Sequence, residues 1–224
     1  MEVEDTATLD REVAFASVAD WALQTIAFFA DHPEWQLVVR THPVEVETSE
    51  EFVGEILRRH WPELPPNVRL VEVAEPLFTY HLLDAAQIGL YYTGTLGLEM
   101  TMLGILPLTG ARPPISGFGF SREAPTAEAY FEMIMRAFDD PDGSALTKEE
   151  MARAWRFADL FLIQVPKALP WSYQRFWPSI LETWPMTRVL GAEGAVFNDV
   201  FAVFAGELDL PDGMVGAIAA GDES

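Results

Sequence analysis

The polar and apolar positions of this chain fall into alternating helical and extended blocks. From Ser17, the apolar residues Val18, Trp21, Ala22, Ile26 and Phe29 lie on one helical face, and Ser17 with Asp20 forms an N-cap pair. The stretch before it, "MEVEDTATLDRE", is acidic and aperiodic and reads as a frayed end. "WQLVVRT" is then an apolar, β-branched run that reads as a buried strand. "TSEEFVGEILRRHW" opens with Thr48 and Glu51 at capping-box spacing and reads as a helix. "NVRLVEV" is a strand, "TYHLLDAA" a short helix, "IGLYY" a strand, "LGLEMTML" a helix and "ILPLT" a strand.

Strands with little internal alternation, separated by helices, predict a parallel sheet covered on both faces, a doubly wound α/β unit. Sheets of that kind bind ligands beyond the carboxyl ends of their strands. The rule puts "RTHP", "YTGT" and "TGARPP" along one edge.

After the Gly- and Pro-rich loop "TGARPPISGFGFSREAP", long enough to suggest function, the pattern changes. Thr126 to Phe138 is helical, "DDPDGS" is a turn, and Thr147 with Glu150 caps a helix running through "MARAWRFADLFLI". Pro166, Pro170, Pro178 and Pro185 break the following chain into short helical pieces, and the end, rich in Gly, Ala and Asp, reads as a loose tail. The expected organisation is an α/β domain over 1–145, a helical extension over 146–206 and a tail over 207–224.

Composition narrows the function classes. Half of the 224 residues are hydrophobic, enough for a substantial core without staples. The chain has no cysteine, so disulfides, zinc-thiolate sites and thiol catalysis are excluded, and a reducing cytosol is the simplest compartment. Asp and Glu number 35 against 14 Lys and Arg, a formal charge of −21 that repels nucleic-acid backbones and anionic headgroups. No nucleic-acid partner is expected, and each arginine near a strand end becomes informative. No charged segment followed by a short apolar run opens the sequence, so no signal peptide is expected. The most apolar stretch, 82–109, is interrupted by Asp84, Gln87, Glu99 and glycines, so no transmembrane segment is expected.

Two constellations can carry chemistry. In "LVVRTHPVE" the strand runs into Arg40, a permanent cation, and His42, a titratable donor, with Pro43 stiffening the turn; together they suit an anion. Pairing of Arg40 with Glu45, and capping of the next turn by His42, explains the same residues without a ligand. In "YYTGTLGLEM" a strand ends in the small Thr93-Gly94-Thr95 turn before a helix, where two hydroxyls and free amides favour a phosphate or carboxylate. Glu99, in the first turn of that helix, suits sugar or ribose hydroxyls or complements the helix dipole.

Other patterns fail. "DDPDGSALTKEE" fits no calcium-loop register, no G-x-S-x-G elbow exists, and His32, His42, His60 and His81 lack metal-ligand spacing. No metal site is expected. Trp155, Phe157, Phe161, Trp171, Trp177 and Trp184 read as helix-packing core.

With "LVVRTHPVE", "TYHLLDAAQIGLYYTGTLGLEMTMLGILPL" and "GFGFSREAPTAEAYFEMI" taken together and in order, the chain resembles the capsule polysaccharide biosynthesis family over roughly residues 13 to 190. Characterised members look like Kdo transferases of the two-Rossmann glycosyltransferase architecture called GT-B. The resemblance implies a single Rossmann-like GT-B half, the carboxyl-terminal nucleotide-sugar-binding domain, followed by the helical extension. It implies that His42, with Arg40 beside it, contacts a nucleotide phosphate, that Thr93, Gly94 and Thr95 hold that phosphate from the other side, and that Glu99 lies near the sugar or ribose.

The implied activity is transfer from a CMP-linked, Kdo-like sugar to a surface glycan acceptor without metal or cofactor, in the cytoplasm or at the inner membrane face. The chain departs from the family in lacking the strand expected before "VAFASVADW" and in having "ARPPISGFGF" where a histidine-tyrosine pair is usual. The catalytic base normally lies in an amino-terminal domain, and no residue here is assigned that role. Transfer is therefore expected to require a partner chain or a further domain. The alternatives are a non-catalytic nucleotide-sugar-binding or partner subunit whose missing half another chain supplies, in a complex with a partner chain or as a homo-oligomer, an incomplete gene product, and half of a CDP-glycerol glycerophosphotransferase.

Overall fold

The computed structural model describes residues 11–41, 53–72, 74–164 and 186–189. The chain divides into two compact units, Met1–Ala154 and Trp155–Ser224. In the first, helix α1 (Val18–Ala30) precedes strand β1 (Leu37–Arg40), followed by α2 (Val53–His60), β2 (Val68–Val71), α3 (Thr79–Leu83), β3 (Ile88–Leu90), α4 (Leu96–Met102) and β4 (Leu106–Thr109). Next come a two-residue strand β5 (Arg122–Glu123), α5 (Ala127–Asp139), the single turn α6 (Pro141–Ser144) and α7 (Lys148–Ala158).

Helix starts follow the local chemistry. Ser17 Oγ accepts from the Asp20 N–H at 3.1 Å, while Asp20 Oδ2 accepts from the Ala16 N–H at 3.0 Å. Such an N-cap supplies about 1 kcal/mol by satisfying amides the helix leaves open. Thr126 caps α5 in the same way. The Thr48–Glu51 box expected for α2 lies outside the described residues.

The helix and strand alternation matches the mixed α/β reading, and every ladder among the named strands is parallel. The strands form two sheets instead of the single one expected: β1–β2, and β3–β4–β5. The strand usual in the family before α1 was expected to be missing, with a frayed end in its place. Instead, Ala14 N–H donates to Gly110 O (2.8 Å) and Arg112 N–H to Arg11 O (2.9 Å), so 11–14 runs antiparallel to 110–112. Arg11 and Glu12, taken as part of a frayed end, are held by these bonds. β5 lies in the loop read as irregular; charged and two residues long, it shows no apolar run, yet it adds to β4 with Arg122 opposite Leu108.

One apolar cluster joins α1, both sheets and α5, through Ile26, Phe29, Leu37, Val68, Leu106, Leu108, Tyr130 and Ile134. Burying side chains of this size stabilises by about 1.5–3 kcal/mol each. Tyr130 is fully buried, and its hydroxyl accepts from Trp21 Nε1 at 2.9 Å. Desolvation, its largest influence, raises that phenol well above its ordinary pKa. Between α1 and α5, Phe131, Phe28, His32, Trp35 and Phe138 form a continuous run of ring contacts, with Trp35 face to face with His32 (4.8 Å) and Phe138 (4.4 Å).

The expected Thr147–Glu150 cap is present in both directions. Glu150 N–H donates to Thr147 Oγ1 at 3.2 Å, and Thr147 N–H donates to Glu150 Oε2 at 2.7 Å. Glu150 Oε1 also accepts from Arg122 at 2.7 Å, which ties α7 to β5. Desolvation raises the Glu150 pKa, but Arg122 and the Thr147 bonds outweigh it and leave the carboxyl below its usual range. A depressed folded pKa contributes stability that is complete above the unfolded value, about 4.3, and is lost as pH falls through the folded value. Glu150→Gln should therefore destabilise at neutral pH and flatten the loss of stability on acidification below about pH 4.3. Denaturant midpoints measured from pH 7 to pH 3 check this, and an unchanged acid limb contradicts it.

The second unit is described at 155–164 and 186–189, ending in the short helix α8 (Met186–Val189). After α7 the backbone passes into a π-helical turn, Asp159–Gln164. Phe157 and Phe161 stack at 5.4 Å, but Trp155 (57%) and Phe161 (38%) are exposed, contrary to the core role expected of them. The two phenylalanines, one turn apart, pack on each other; nothing described explains the exposure of Trp155. Trp171, Trp177 and Trp184 lie outside the described residues. Among the described residues no helix is long and apolar enough to cross a membrane.

Candidate functional site

The carboxyl end of β3 leads through Tyr91 and Tyr92 into the Thr93-Gly94-Thr95 turn. Gly94 has φ +90°, a left-handed conformation that side chains resist, and a Cβ there would meet nothing within 4 Å. The position needs glycine for its backbone and leaves open space beside it. α4 then passes so close to the preceding strand end that a Cβ on Gly97 would overlap the Tyr91 ring. Tyr91 is buried, donates to Ser121 Oγ at 3.2 Å, and has its pKa pushed up to about 12, chiefly by desolvation. It is a packing residue.

Thr95 and Glu99, both candidate residues, are brought together. Thr95 Oγ1 donates to Glu99 Oε1 at 3.0 Å, and Tyr80 Oη donates to Glu99 Oε2 at 2.6 Å. The Glu99 bond is the main cause of an upward shift of the Tyr80 pKa. Thr95 makes no side-chain cap bond to α4, so its hydroxyl is oriented by Glu99. Sequence reasoning missed Tyr80, which follows the helix-starting Thr79 and shows no motif of its own. Beside it Phe78 is 72% exposed and Tyr80 51%, so aromatic faces border the hydroxyl and carboxylate group.

Arg40 joins a different set of residues. Its Nη1 donates to the Glu72 carbonyl at 2.8 Å, across the β1–β2 ladder that pairs Arg40 with Val71. Arg58 pairs with the Glu72 carboxylate, and Arg69 with Glu75 at 3.1 Å. None of Arg40's described bonds reaches Thr93, Gly94, Thr95 or Glu99. His42 and Glu45 lie outside the described residues.

Thr109, at the carboxyl end of β4, is fully buried; its hydroxyl donates to Tyr92 O at 3.3 Å and accepts from Ala111 N–H at 3.1 Å. That end of the expected edge is a structural latch. A cavity of about 140 Å³ between α2 and β2, lined by Leu57, Arg58, Trp61, Pro62, Leu64 and Leu70, contains none of the candidate residues and is small beside ordinary ligand sites. Among the described residues no group of three or more histidines and carboxylates is placed to hold a metal ion.

Compared with protein-family models, curated proteins and solved structures, the chain matches none of them.

Proposed function

We propose that this chain binds a nucleotide-activated sugar, CMP-linked and Kdo-like, as one half of a GT-B-type glycosyltransferase acting in surface polysaccharide synthesis. The observation that carries the reading is the convergence of Thr95, Glu99 and Tyr80 by hydrogen bonds of 3.0 and 2.6 Å just beyond the carboxyl end of a parallel strand. That is where α/β sheets take their ligands. The open Gly94 turn admits a phosphoryl group close to the backbone, Thr95 supplies a hydroxyl, and Glu99 and Tyr80 are placed for sugar or ribose hydroxyls. The family resemblance in sequence adds His42 and Arg40 as donors from the end of β1.

In this reading the departing nucleotide gains negative charge as the glycosidic bond breaks, and donors fixed beforehand stabilise it. Deprotonation of the acceptor hydroxyl falls to a base in a partner domain.

A thermal-shift series with CMP, UDP, GDP and CDP tests the proposal. CMP at about one hundred times its Kd should stabilise the protein by about 2.7 kcal/mol. His42→Ala and Thr95→Val should each weaken CMP at least tenfold by calorimetry. Absence of a shift with all four nucleotides rejects the reading.

A further inference from the structure

We propose that the carboxyl end of the β1–β2 pair is a binding site for phosphate-class anions, formed by the Arg40 and Arg69 guanidinium groups with the Glu72 main-chain N–H, and that Glu75 occupies it as an internal stand-in. Glu75 Oε1 accepts from Glu72 N–H at 3.1 Å and Oε2 from Arg69 Nη2 at 3.1 Å. The Glu72 N–H, then Arg69, hold the Glu75 pKa below its ordinary value, and Arg40 adds to the lowering through space. The corner thus already cradles one anionic group with a backbone amide and the Arg69 guanidinium.

Charge supports the assignment. In a protein of formal charge −21, the described residues gather Arg40, Arg58 and Arg69 here with Glu72 and Glu75, an excess of one positive charge among them. Arg40 is fixed by a neutral carbonyl instead of a carboxylate, and its Nε is buried with no acceptor among the described residues. The carbonyl orients Arg40 without neutralising its charge. The cradle lies beyond the carboxyl ends of two parallel strands.

An incoming anion displaces Glu75 and takes over its bonds to Arg69 and the Glu72 amide. A second anionic group can meet Arg58 in place of the Glu72 carboxylate, which makes a diphosphate the favoured class. Arg40 is shared with the nucleotide-sugar reading, but the site does not depend on it.

Inorganic pyrophosphate, titrated by calorimetry against sodium chloride controls of equal ionic strength, is the probe. Glu75→Gln, which keeps the shape and removes the charge, should bind pyrophosphate at least tenfold more tightly than the wild-type chain, and Glu75→Ala should do the same. Adding Arg69→Ala to Glu75→Gln should abolish the gain. The CMP thermal shift of the wild-type chain is measured alongside: a pyrophosphate gain in Glu75→Gln without any CMP shift rejects the nucleotide reading alone, and a CMP shift without that gain rejects this one alone. Equal affinity in wild type and Glu75→Gln, or a gain that survives loss of Arg69, overturns the proposal.

Discussion

Replacing Asn67 with leucine should lower stability by about 3–5 kcal/mol, a large part of the 5–15 kcal/mol typical of a folded protein. Asn67 is 5% exposed, and its Nδ2 donates to three carbonyls, those of Phe29 (2.7 Å), His32 (3.2 Å) and Trp35 (2.8 Å). These belong to the last turn of α1 and the bend that follows, where the helix has run out of its own donors. Its own carbonyl accepts from Leu37 N–H at 2.9 Å, so one residue joins the end of α1 to the start of both strands of the first sheet. Leucine keeps the branched shape but removes all three bonds. The Phe29 and His32 carbonyls retain the His32 and Trp35 N–H groups, whereas the Trp35 carbonyl loses its described side-chain donor, and a buried acceptor left unpaired costs about 1–3 kcal/mol.

Asn67→Asp should be worse at neutral pH, because a carboxylate would then face three carbonyl oxygens. Its deficit should shrink on acidification, as the protonated acid regains an O–H donor. Thermal unfolding of the two variants at pH 7 and pH 4.5 measures this; equal losses for both at each pH would remove Asn67 from its tying role.

Gly97→Ala should cost about 3 kcal/mol, the upper end of ordinary overpacking. The added methyl lands on the Tyr91 ring and 2.6 Å from its hydroxyl, and Tyr91, 3% exposed, has no room to retreat. Because α4 carries Glu99, the strain reaches the candidate site, and the Thr95–Glu99–Tyr80 bonds should loosen with it. Tyr91→Leu, mild by comparison, should recover about half the loss when combined with Gly97→Ala, since contacting residues are not additive. A cycle of denaturant midpoints checks this, and strict additivity would show that the close approach is not the cause.

These two positions mark where sequence reading stops. Asn67 reads locally as a strand-initiating polar residue; its partners lie 38, 35 and 32 positions earlier, and nothing local announces them. Gly97 looks like a helix-weakening glycine until Tyr91 is placed against it. By contrast, Ser17–Asp20 and Thr147–Glu150 were legible because each bond spans three residues. The helices and the parallel strands were legible for the same reason, since their patterns are local.

Neither the division into two sheets nor the pairing of segment 11–14, whose partner is about one hundred residues away, was legible, because both depend on contacts distant in sequence. In the candidate site, Thr95 with Glu99 could be read from helical spacing, whereas Tyr80 and the Arg40–Glu72 contact arise only when separate elements meet. Arg40's contact with the Glu72 carbonyl, 32 residues on and next to it across the ladder, has no local signal, while Glu45, one of the two partners considered for it, lies outside the described residues.

The ring contacts between α1 and α5 give the molecule an optical handle. Trp35, held face to face between His32 and Phe138, senses an asymmetric environment that exists only while the two helices stay docked. Its near-ultraviolet dichroism reports on that joint, at the amino end of β1 and so opposite the strand ends where ligands are expected, so undocking of the helices and occupancy of the sheet edge can be followed as separate signals in one sample.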